Sequence, residues 1–209
     1  MKDKLNFNEE VMLALYLEVF KEYYNKGETK YCEDYNMTIN EGKMQSICYI
    51  FQKLGLFDEE YGFSLNWYIP YSPGIMSLQN DIDRKQSCVD SFYDEYYEKR
   101  KKLDGIYTSL SKYYSQEQID RVINATNILE ELSQEQLGIE LLSTLHFTMD
   151  RIYDDTMERD YYKAKIEESY PIYTENDDLF QKSCSTLNAL NLINKPRTKI
   201  PQRVKTKRI

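Results

Sequence analysis

A chain of 209 residues with 41% hydrophobic content is long enough for one substantial core, and no Pro/Gly/Ser-rich linker divides it. The net charge of -8 hides an asymmetry: Lys195, Arg197, Lys199, Arg203, Lys205, Lys207 and Arg208 place seven positive charges in the last fifteen residues, leaving 20 basic against 35 acidic side chains elsewhere, or -15. We therefore expect a helical domain over residues 1–194 and a basic tail over 195–209, with a body that repels nucleic acid broadly.

Cys32, Cys48, Cys88 and Cys184 lie far apart, with no CxxC and no neighbouring His pair, so no zinc site and no other cofactor is expected. The segment MKDKLNFNEE lacks an apolar signal core, and the longest apolar run, Val11 to Phe20, is broken by Glu18 and too short for a bilayer. A reduced, cytoplasmic, non-membrane protein is the expectation. The 20 tyrosines accompany many Asn, Lys and Ile, a composition that AT-rich codons generate without selection for chemistry.

In chain order, Asn8 is a candidate N-cap with Glu9 and Glu10 in the first turn, followed by Leu13, Tyr16, Leu17, Phe20 and Tyr24 at helical spacing. A second helix is predicted from Asn40 through Met44, Ile47, Cys48, Phe51 and Leu54, ending near Gly55, as the antiparallel partner of the first. Phe57 to Trp67 is short and aromatic, suited to a brief hairpin or two extended segments.

The stretch Phe63 to Ile82 holds the only Trp together with Pro70 and Pro73, and the rest of the chain reads as helices built about it. Each proline fixes φ and pushes its predecessor toward extended geometry, so Tyr68 to Ser72 should be a rigid non-helical strip. Ser72 as N-cap and Pro73 at the first helical position then start a helix carrying Ile75, Leu78 and Ile82. Asp90 to Leu110, dense in charge and Tyr, is predicted as a long solvated helix.

Ser115 with Gln118 and Ser133 with Gln136 have the spacing of capping boxes and mark a helical hairpin. Its first arm is lined by Ile119, Val122, Ile123, Thr126 and Leu129, its second by Leu137, Leu141, Leu145, Met149 and Ile152. A further amphipathic segment, Leu179 to Leu192, follows the break at Pro171.

Candidate chemistry is sparse. His146, the only histidine, lies near the apolar stripe of the second arm without a His partner or nucleophile motif, and is read as structural rather than catalytic, its role open. Asp150, Asp154 and Glu158 fall at steps of four, but Arg151 and Arg159 beside them favour a solvated charged face over a cation site. No phosphate-binding loop, dinucleotide fingerprint, zincin or nucleophile-elbow motif occurs. Trp67, Tyr68, Pro70, Tyr71, Ser72 and Pro73 either plug a core between the first helices or form a partner-binding patch, since rigid Trp and Tyr carry interface hot spots. The tail either neutralises phosphates or is an unstructured solubilising end.

Three phrases carry a resemblance to the Panacea antitoxin-domain family, which includes SocA-like and YwgA-like proteins. Residues 43–54, KMQSICYIFQKL, are similar to the family's first helix. Residues 68–75, YIPYSPGI, resemble its Tyr-Gly-Pro-Tyr-Ser signature, with Ile69 standing where the family carries glycine. Residues 137–147, LGIELLSTLHF, look like a phrase of YwgA-like members that includes His146. The resemblance spans residues 9 to 193, the tail having no counterpart in it.

It implies a mainly α protein that acts without catalysis, neutralising a toxin or a phage or defence effector by contact. The expected site is the aromatic elbow, and the alternative is a nucleic-acid-binding regulator anchored by the tail. An enzyme built around His146 is the weakest of the readings.

Overall fold

The computed structural model describes residues 4–5, 7–19, 41–55, 61–66, 68–85, 88, 91, 111, 114–135, 137–152, 159–169 and 177–193. These form seven helices and one two-stranded antiparallel sheet: α1 (Phe7–Val19), α2 (Glu41–Lys53), β1 (Ser64–Asn66), β2 (Ile69–Tyr71), α3 (Pro73–Arg84), α4 (Gln116–Ser133), α5 (Gly138–Ile152), α6 (Arg159–Ser169) and α7 (Asp177–Ala189). The chain is mainly helical, as its periodicities require. The predicted helix over Asp90 to Leu110 lies outside the described residues apart from Ser91, and Asn40, Phe57, Phe20, Tyr24, Asp154, Glu158 and the whole tail also lie outside them.

Helix α5 is the centre. Every residue from Ile139 to Thr148 is buried, and α2, α4, α6, α7 and β2 all pack against it. A helix covered on all sides has no solvent stripe, which is why Ser143, Thr144 and Thr148 sit among leucines. Helix α1 is similar: Val11 to Leu17 are all buried, between α2, α3 and α4. It begins at Phe7, so Asn8 belongs to its first turn and is not its cap.

Two predicted helix starts fare differently. Ser115 caps α4 as expected, its hydroxyl accepting from the Gln118 N–H and the Gln118 side chain accepting from the Ser115 N–H. Ser133 is no cap, because it is the last residue of α4, is buried, and turns its hydroxyl back to the Glu130 carbonyl (2.7 Å). Helix α5 starts only at Gly138, after Leu137 has taken a φ of 63° to reverse the chain. A Cβ at Gly138 would stand 2.2 Å from the Leu132 carbonyl oxygen, so the turn requires glycine there.

The hairpin also sits later in the chain than predicted. The strip with Pro70 is itself the second strand, paired as Ser64↔Tyr71, Leu65↔Pro70 and Asn66↔Ile69. Antiparallel pairs alternate between exchanging two hydrogen bonds and none, and proline occupies the middle pair, where no N–H is needed. Pro73 then opens α3 directly behind β2, with Ser72 as an extended N-cap at φ -125° and ψ 124°. Ile75 and Ile82 turn the inner face of α3 into the core.

Candidate functional site: a hairpin held over two parallel helices

Helices α2 and α5 meet along a seam of polar pairs. Ser143 donates to Ser46 (3.0 Å), Tyr49 Oη lies 2.8 Å from His146 Nδ1, and Lys53 reaches Asp150 (3.1 Å). Every pair has the same offset of 97 residues, so the two helices run in the same direction with one register. Lys43 and Glu140, at the same offset, interact through charge. The small Ser46–Ser143 pair allows close approach, and the surrounding Ile47, Ile50, Leu142 and Leu145 are fully buried.

Burial governs the titration of Tyr49, Cys48 and Glu140. It pushes the Tyr49 hydroxyl far above the ordinary phenol range, with Asp150 adding to the shift and Arg151 opposing it. The same desolvation holds the Cys48 thiol far above its usual value, so it stays a neutral apolar side chain. Glu140 is also shifted up by burial, opposed by a backbone hydrogen bond and by Lys43. Tyr49 is therefore a neutral phenol hydrogen-bonded to His146, and its ring packs edge-on against Phe63 (5.2 Å) and beside Phe147 (5.7 Å). His146 is buried, with its Nδ1 against the Tyr49 hydroxyl.

The hairpin rides on this seam and is gripped by its main chain. Gln45 holds both polar groups of Ser72, accepting from its N–H (2.9 Å) and donating to its carbonyl (3.2 Å). One heptad on, Gln52 repeats the contact on Tyr61, accepting from its N–H (2.8 Å) and donating to its carbonyl (3.0 Å). From α5, Thr144 donates to the Tyr68 carbonyl and Arg151 to the Phe63 carbonyl (3.2 Å). Arg151 also lies 4.4 Å over the Phe147 ring.

The six elbow residues separate by role. Pro70 and Ser72 are buried and belong to the support, Tyr71 is half-buried, Tyr68 and Pro73 are exposed, and Trp67 lies outside the described residues. Cross-strand partners share a face, so Leu65 and Pro70 turn inward while Ser64, Asn66, Ile69 and Tyr71 form the outward face. Tyr68, at 40% exposure, is one of two large hydrophobic side chains exposed among the described residues, the other being Tyr161 on α6.

Sequence reasoning missed Gln45, Gln52, Thr144 and Arg151. A signal existed for the glutamines: seven residues apart on a helix, they occupy one face, and Gln45 stands with Ser46 as a polar break in the stretch from Met44 to Phe51. Lys195, Arg197, Lys199, Arg203, Lys205, Lys207 and Arg208 all lie outside the described residues. Among the described residues no cluster of three His, Cys, Asp or Glu could hold a metal ion, and no helix is long and apolar enough to cross a membrane. No protein-family model, curated protein or solved structure matches the chain.

Proposed function

We propose that this chain is a non-enzymatic protein-binding module of the antitoxin or inhibitor kind, acting in the cytoplasm in toxin neutralisation or phage–host conflict. The supporting observation is the hairpin: a short rigid ribbon, tethered by its backbone to two central helices, that turns Tyr68 and Tyr71 outward. A pre-organised aromatic patch pays little ordering entropy on binding, which is the usual setting of an interface hot spot. The resemblance of the Tyr-Ile-Pro-Tyr-Ser-Pro stretch to the Panacea antitoxin-domain signature supports the same reading.

Its mechanism is steric. The hairpin covers the active or nucleic-acid-binding surface of the partner. The -15 body speeds association with a basic target surface, and this contribution weakens as salt is raised. Trp67→Ala combined with Tyr71→Ala is expected to abolish capture of the partner from the native cell while leaving the melting temperature within a few degrees. A double variant that is simply unfolded would show that these rings are core, and the reading would fail.

The seven charges of the tail motivate a second reading, a nucleic-acid-binding regulator. On that reading, removing residues 195–209 lowers affinity for duplex DNA and flattens its salt dependence, each lost phosphate contact removing roughly 0.9 from the slope.

A further inference from the structure

The described helices hold to the core very unequally. Every side chain from Val11 to Leu17 is buried in α1, every one from Met44 to Phe51 in α2, and every one from Ile139 to Thr148 in α5. Helix α6, with the polar sequence RDYYKAKIEES, buries only Tyr162 and Ile166 among its side chains from 161 to 169, and the element it packs on most is α5.

One of those two anchors is imperfect. The Tyr162 hydroxyl is buried without a hydrogen-bond partner. A phenol shut away from water in this way gives up its hydration, and it regains that hydration only when the helix lifts. The charged ties add little. Lys163 with Glu167 and Lys165 with Glu168 pair within α6 itself and fasten it to nothing else. Among the described residues, the ion pair that leaves side chains 161–169 is Lys163 with Asp177 at the start of α7, and the Asp177 carboxylate is largely open to water. Exposed pairs of this kind contribute weakly and are screened by salt.

We infer that α6 is a strap over α5 that opens as one unit while the rest of the domain stays folded. Opening free energies are lowest where few apolar groups are buried, and Ile166 is the one anchor of this helix that carries no stranded polar group. A helix of 11 residues is marginal in water by itself, so lifting from α5 and unwinding are a single event. Opening bares the face of α5 that the strap covers. The other helices packed on α5 do not share this weakness: α2, α4 and α7 bury continuous apolar faces, the last through Leu179, Phe180, Cys184 and Leu187. The strap is a property of the free protein and is independent of the binding role proposed above.

Native-state hydrogen exchange on the full chain, followed in increasing sub-denaturing urea, reads the opening directly. The amides from Lys163 to Ser169 are expected to converge on one opening free energy with a shallower urea dependence than global unfolding, and to exchange at least about a hundredfold faster than those from Leu141 to Thr148 in α5. Ile166→Ala should speed the exchange of residues 163–169 about tenfold or more and leave residues 141–148 within about twofold of the parent. Tyr162→Phe keeps the ring and removes the stranded hydroxyl, so it should slow exchange in α6 at least about threefold. It also serves as the independent test should Ile166→Ala not fold. Exchange of α6 together with α5 in the global transition, equal acceleration of both helices in Ile166→Ala, or faster α6 exchange in Tyr162→Phe would each overturn the strap.

Discussion

Two helix contacts in this fold are built on opposite principles. The α2–α5 seam is polar along its length, through Ser46–Ser143, Tyr49–His146 and Lys53–Asp150, whereas α4 meets its neighbours through Ile119, Val122, Ala125, Leu129 and Leu132, with the Lys182 to Glu131 and Glu135 ion pairs at the rim. Apolar surfaces tolerate small shifts because dispersion and burial are non-directional. Hydrogen-bonded pairs are directional, and sliding α2 by one turn would break every rung at once. The hairpin is hung from the seam that cannot slide.

The comparison is broken most severely by cutting into the apolar side. Leu129→Ala should cost about 2–5 kcal/mol, because a fully buried side chain leaves a cavity, and should lower the melting temperature by several degrees. Hydrogen exchange in that variant is expected to rise broadly with no special loss at the hairpin. A loss confined to residues 61–72 would mean that the two contacts are not independent.

Tyr49→Phe attacks the seam with little change in volume. It removes the 2.8 Å bond to His146 and should cost about 1–3 kcal/mol, with enhanced exchange at the hairpin, whose Phe63 packs on the same ring. A loss below about 0.5 kcal/mol would show that the seam is held by packing alone.

Much of this organisation is visible in the sequence, for identifiable reasons. Met44, Ile47, Cys48 and Phe51 with Gly55 marked α2, and Ser115 with Gln118 marked the start of α4, because those signals are local. Pro70, Ser72 and Pro73 likewise announced an extended strip turning into a helix. Ser133 misled because the spacing of a capping box is the same whether serine opens a helix or closes one, and its hydroxyl is satisfied by Glu130 one turn back. The seam was illegible: Ser143 and His146 find their partners 97 residues away, and α5 is buried all round, so its polar residues carry no periodic signature. The roles of Gln45 and Gln52 depend on a hairpin whose register no local rule specifies.

A smaller effect of the opposite sign is expected at Glu140, whose carboxyl is held above its ordinary value of 4.5 mainly by burial. Between the unfolded and folded values the folded protein holds a proton that the unfolded chain has released, so stability declines as pH rises through that window. Above the window the buried charge is a standing cost. Glu140→Gln should therefore raise the melting temperature at pH 7 and lose this advantage as the pH falls toward 4.5, in parallel thermal melts. A variant less stable at both pH values would mean that the Lys43 interaction outweighs desolvation.

The smallest effect belongs to the rim of the apolar contact. Lys182→Ala should cost less than about 1 kcal/mol, and the difference should fade at high salt, because its pairs with Glu131 and Glu135 are solvent-exposed. A larger, salt-independent loss would contradict the assignment of α4's stability to its apolar face.

The most direct test of the binding account sets two exposed tyrosines against each other. Tyr68 on the hairpin and Tyr161 on α6 are exposed to nearly the same extent, 40% and 38%, so loss of aromatic surface is matched between them. Affinity for the captured protein partner should fall at least about tenfold in Tyr68→Ala and by less than about twofold in Tyr161→Ala, both variants melting like the parent. Equal effects, or a loss confined to Tyr161→Ala, would place recognition elsewhere than on the hairpin.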